Sequence, residues 1–143
     1  MAQITNDYFR ASDPCLERTT LNGVTEWPPT WIGRLYEYQW ALNELKRIPH
    51  ATVLDVGCGQ ACHQFKELAL QSASFVLGVD PCAAAHKEDK RLLLMKSDFF
   101  ESNIWRWGRF DYVVCISVLE HINPEARLPF LRLNHHNILF FLF

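Results

Sequence analysis

The sequence predicts an α/β fold: a doubly wound, mostly parallel sheet of about five strands with helices on both faces. Three observations carry this. Short apolar runs begin near residues 51, 74, 92, 111 and 137, and most are apolar at consecutive positions, the pattern of strands covered on both faces. The segments between them are polar or helix-like and long enough for a crossover. A small-residue loop, Gly57-Cys58-Gly59, follows the first run directly, where an open α/β sheet has its ligand crevice.

Size and composition agree. A chain of 143 residues fits one domain, and 49% apolar with 21% charged residues is the balance of a soluble globular protein. Disordered tails, collagen-like fibres and coiled coils are excluded. The net charge of −2 leaves no basic surplus to neutralise a phosphate backbone, so no nucleic-acid partner is expected.

Residues 1–30, with Asp13-Pro14, Asn22-Gly23 and Pro28-Pro29, read as an irregular lead-in, and residues 31–143 as the domain. An amphipathic helix is expected over 32–48, with Leu35, Tyr38, Leu42 and Leu45 on one stripe and Pro49 as its stop. The first strand covers 51–56. A helix over 62–71 places Cys62, Phe65, Leu68 and Ala69 on one face. Strands follow over 74–79, 92–96 and 111–116, and the mixed run 86–91 reads as a solvated face. Asn123-Pro124 introduces a helix over 125–133, and 137–143 is a last strand. Right-handed crossovers join these parts into the doubly wound sheet.

The first twenty residues carry Asp7, Arg10, Asp13, Glu17 and Arg18 and no apolar run of a secretory leader. The longest apolar stretch, 138–143, is too short to span a bilayer. Five cysteines (Cys15, Cys58, Cys62, Cys82, Cys115) are expected as free thiols, and the location as cytoplasmic. Cys58 and Cys62-His63 stand one residue too far apart for haem attachment, and no paired spacing supports zinc, so no metal is expected.

The segment Val53-Leu54-Asp55-Val56-Gly57-Cys58-Gly59-Gln60-Ala61 is the most informative. A dinucleotide fingerprint would need Gly or Ala at position 62, where Cys62 stands, which argues against a nicotinamide-linked oxidoreductase. A carboxylate inside the strand, Asp55, suits an ammonium-bearing ligand better than a phosphate. The segment resembles the first motif of the class I S-adenosylmethionine-dependent methyltransferases, apolar-apolar-acid-apolar-Gly-x-Gly-x-Gly, with Ala61 in place of the third glycine. Their fold is Rossmann-like, in agreement with the pattern above.

The resemblance implies S-adenosylmethionine as cofactor and a set of roles. Asp55 and the loop Gly57, Cys58, Gly59 and Ala61 would hold the methionine portion. Asp80, at the end of the second strand and followed by Pro81, would accept from the ribose hydroxyls; on its own it could equally cap the next segment. Asp98 would accept from the adenine amino group, with Phe99 covering the ring; the alternative is a turn aspartate beside a core phenylalanine. In the run Phe110-Asp111-Tyr112…Val118-Leu119-Glu120-His121, Ser117 and Leu119 would lie near the methionine end, and His121 would accept a proton from the acceptor or be a surface histidine. Tyr38 would face the sulfonium or sit in the core.

The resemblance covers about residues 30–143 and usually continues into two further strands of a seven-stranded sheet, which this chain is expected to lack. The 137–143 strand would then be an apolar edge, suited to contact with a partner or a second copy. Two functions remain open at this point: methyl transfer to a small-molecule or peptide-like acceptor, and a non-catalytic module that binds the cofactor or a partner.

Overall fold

The computed structural model describes residues 32–60, 65–83, 90–106, 108–133 and 138–141. The lead-in, Ala61, Cys62, His63, most of the 86–91 run and residues 134–137 lie outside them.

Helix α1 (Ile32–Leu45) forms from the expected stripe and buries Tyr38, Ala41, Leu42 and Leu45. It stops three residues before position 48. Ile48 precedes Pro49, which disfavours helical backbone there, and His50 at φ +61° turns the chain into the sheet. Strands β1 (Thr52–Val56), β2 (Phe75–Asp80), β3 (Leu92–Lys96), β4 (Tyr112–Ile116) and β5 (Ile138–Phe141) form one sheet in the order 3-2-1-4-5, and every neighbouring pair is parallel. Helix α2 (Phe65–Ala69) follows β1, and helix α3 (Pro124–Leu133) lies between β4 and β5.

The expected fold class is the one observed. Alternation along each strand divides the core in two. Val53, Val76, Tyr112 and Val114 join Leu42, Leu45, Phe65 and Leu68 on one face. Leu54, Val56, Leu77, Val79, Val113 and Cys115 join Phe99, Ile104 and Phe130 on the other. β4 is buried at every position, as continuous apolarity requires. β3, at the sheet edge, alternates instead, because Leu93 and Met95 reach only the margin of the second cluster.

Register between β1 and β4 is set at their amino ends. The Asp111 carboxylate accepts from the Thr52 backbone N–H at 2.7 Å and from the Thr52 hydroxyl at 2.9 Å. In α3, Pro129 removes one helical donor, yet the helix continues. Phe130 is fully buried against Phe99, with ring centroids 4.8 Å apart, and anchors that segment. No helix among the described residues is long and apolar enough to cross a membrane.

Candidate functional site

Strand order reverses direction at β1, with β2 on one side and β4 on the other, so a crevice opens at the carboxyl ends of these strands. The loop after β1 is hooked onto β2 there. The Gly57 and Cys58 N–H groups both donate to the Val79 carbonyl, at 2.7 and 3.3 Å. Gly57 and Gly59 both have φ +73°, a region L side chains rarely adopt. A Cβ on Gly57 would also run into the Val118 side chain, which leans across from the segment after β4.

Asp80 ties three strand ends together. Its Oδ2 accepts from the Gly59 N–H at 3.0 Å, and its Oδ1 accepts from the Cys82 N–H at 2.7 Å. Its backbone carbonyl accepts from the Ala83 N–H at 3.0 Å and from the Ser97 N–H, just past β3, at 3.3 Å. Pro81 and Cys82 are exposed beside it. Cys58 is buried, and its sulfur lies over Gly78: a Cβ there would come within 2.8 Å of it. The mid-strand Gly78 thus lets the loop settle on the sheet, the sequence signal that a lone strand glycine carries.

Beneath the loop, Asp55 is 3% exposed. The residue interacts with its surroundings, while its Oδ2 accepts no hydrogen bond among the described residues. Lys66, fully buried on α2, donates from Nζ to the Cys58 carbonyl at 2.9 Å. It went unremarked in the sequence, although a lysine directly after Phe65 on a helix with buried Leu68 and Ala69 is itself a signal. Val118 was missed as well, because nothing local marks it.

Asp98 is exposed just past β3 and accepts from the Phe100 N–H at 2.8 Å, so it shapes the turn that follows. The Phe99 ring points into the second core cluster, edge-on to Phe100 and Phe130. Leu119 is buried in the same cluster. Ser117, directly after β4, has φ +50°. His121 ends the short 3-10 turn Leu119–His121 with its side chain 79% exposed, 4.0 Å from the Glu120 carboxylate. Tyr38 is buried in the first cluster, edge-on to Phe65 at 5.5 Å. The structure therefore joins Gly57, Cys58, Gly59 and Asp80 directly and sets Pro81, Asp98 and Ser117 at neighbouring strand ends. It sinks Tyr38, Phe99 and Leu119 into the core.

One titration is strongly shifted nearby. Burial pushes the Cys115 thiol up to about 12, and the Asp55 and Glu120 carboxylates add to the rise.

Residues 31–128 match the family model described as "Methyltransferase domain". The chain belongs to that family. The methyltransferase domain is 36% identical over 61 residues to a tRNA U34 carboxymethyltransferase of Shewanella woodyi, across 43% of this chain and 17% of that protein. Its structure is similar to the MycE methyltransferase of the mycinamycin biosynthetic pathway in complex with Mg, S-adenosylhomocysteine and mycinamycin VI. The TM-score is 0.48 at 23% identity, covering 72% of this chain and 31% of that one. A second MycE complex, with Mg and S-adenosylhomocysteine, matches equally, over 29% of its chain. The chain thus spans less than a third of the length of each of these relatives.

Proposed function

We propose that this methyltransferase domain binds S-adenosylmethionine at the β1–β2–β3 rim and presents its methyl group to a small-molecule or peptide-like acceptor. The observation that carries the reading is the bond from the Gly59 N–H to the Asp80 carboxylate, which ties the glycine loop after β1 to an acid at the carboxyl end of β2. The residues fit the cofactor. Each Asp80 oxygen takes one backbone N–H and keeps acceptor capacity for a ribose hydroxyl. Two positive-φ glycines leave the loop without Cβ atoms where a ligand approaches. Asp98 sits at the next strand end, where its second oxygen can take an amino donor, and the backbone beside Phe99 lines the same edge.

Bound there, S-adenosylmethionine supplies a methyl group already activated by its sulfonium. The protein's share is alignment and exclusion of water. Asp55, beneath the loop, is the proposed partner of the cofactor's ammonium, with Ala61 completing the loop. Ser117, at the end of β4, would face the methionine end, and Leu119 and Tyr38 would support that wall from within the core. His121 is the proposed proton acceptor for an acceptor hydroxyl.

The net charge of −2 supports a small or peptide-like acceptor. The buried Cys115 thiol supports a cytoplasmic setting. A methyl-release assay across amine, hydroxyl and peptide acceptors, with transfer RNA as a further arm, tests the reading. Turnover on a small or peptide acceptor supports it. Turnover on RNA alone overturns the acceptor class, and tight binding without any turnover makes the domain a cofactor-binding module.

A further inference from the structure

The peptide group between Cys58 and Gly59 is held at both ends by charged side chains. Its carbonyl accepts from the fully buried Lys66 Nζ at 2.9 Å, and its N–H donates to the Asp80 carboxylate at 3.0 Å. In a trans peptide these two groups point in opposite directions, so the cation and the anion grip the plane from opposite sides. Both bonds are charge-assisted, the stronger class.

This grip acts on a flexible bond. Half a turn of the Cys58–Gly59 peptide would carry Gly59 from φ +73° to the negative side. Glycine populates both sides about equally, so its own backbone does not choose. A flip would swing the carbonyl toward Asp80, where two acceptors would face each other, and would turn the N–H toward the Lys66 ammonium, where two donors would. Each end opposes the flip, and the observed orientation is held by the two together.

We infer that Lys66 is a positioning residue: by holding the Cys58 carbonyl it locks the Cys58–Gly59 peptide in the orientation that keeps the Gly59 N–H on Asp80. The carboxylate is thereby fixed in rotation before any ligand arrives, and ordering the loop is not charged against binding. The role rests on the proposed cofactor site for its consequence, but the lock itself is a property of the unliganded protein.

The test uses the full chain, wild type and Lys66→Met, with two readouts. Amide hydrogen exchange by NMR reads the lock without a ligand. In the wild type the Gly59 amide exchanges at least about a hundredfold more slowly than in a free peptide. A Gly59 amide that exchanges freely while Val53–Val56 stay protected overturns the inference, whatever any variant does. In Lys66→Met the β1 and β4 amides stay protected, Gly59 loses its protection, and the dissociation constant for S-adenosylhomocysteine rises roughly ten- to hundredfold. Lys66→Met with β1 and β4 intact, Gly59 still protected and affinity unchanged also overturns it. Absence of binding to the wild type sinks the proposed function instead, and leaves the exchange result to decide the lock.

Discussion

The Gly59 amide and the Asp80 carboxylate, 21 positions apart in the chain, are joined by a 3.0 Å hydrogen bond across the gap between the β1 loop and the carboxyl end of β2. The same carboxylate takes the Cys82 N–H on its other oxygen at 2.7 Å, so its plane is fixed by two backbone donors. An acid held this way is preorganised for the ribose hydroxyls of the proposed cofactor.

Replacing that acid by its amide separates binding from folding. Asp80→Asn keeps one acceptor oxygen but loses the charge and one of the two accepting positions. The dissociation constant for S-adenosylhomocysteine should rise roughly ten- to hundredfold, the worth of a charge-assisted hydrogen bond, measured by calorimetry. Unchanged affinity would remove Asp80 from the site.

Gly57 should tolerate no side chain. Gly57→Ala adds a Cβ at φ +73° and drives it into Val118. The expected loss is about 1–2 kcal/mol for the left-handed backbone, with overpacking adding about 1–3 kcal/mol. Urea denaturation of Gly57→Ala, Val118→Ala and the double variant separates the two. The double variant should recover the packing share only, and full additivity would mean that the two residues do not touch.

Much of this arrangement was legible from residue order alone. Five strands appear within two residues of where their apolar runs begin, because a strand inside a parallel sheet is written in consecutive apolar residues. Asp55 falls inside β1, Asp80 at the end of β2 and Asp98 just past β3, as their spacing requires. Contacts between distant segments were not legible. Val118 meets Gly57 only because β4 lies beside β1, and the grip of Lys66 depends on a helix folding back over the loop. Side-chain direction was also hidden: Phe99 and Leu119 stand at rim positions but turn inward, because apolar bulk follows the core and not the ligand.

Alkaline solution should weaken the fold. Burial, with the Asp55 and Glu120 carboxylates, raises the Cys115 thiol from 9.0 to about 12, so the folded state keeps its proton where the unfolded chain has lost it. Stability from this group is complete below pH 9 and falls as pH rises toward 12, by about 1.4 kcal/mol per pH unit. Tyr112 acts in the same direction: burial raises its phenol, as does the Glu44 carboxylate, whose effect outweighs the lowering by Arg47. Urea titrations between pH 8 and about 10.5 should show the decline, and Cys115→Ala should flatten it. An equal slope in that variant would assign the decline elsewhere. At pH 8 the exposed Cys82 should react with a thiol reagent while Cys115 stays inert.

The role proposed for His121 is separable from cofactor binding. His121→Gln should leave cofactor affinity unchanged and lower kcat roughly a hundredfold on a hydroxyl acceptor, the usual worth of a positioned base. With its side chain 79% exposed, it would act as a base only once the acceptor covers it. Unchanged kcat on that acceptor would leave alignment as the protein's whole contribution.

Calorimetric titration of the wild-type chain with S-adenosylhomocysteine bears most directly on the rim as an adenosyl site. Saturable one-to-one binding, weakened in Asp80→Asn while both proteins unfold with the same cooperativity, is the outcome expected. A flat trace from a folded wild type contradicts it.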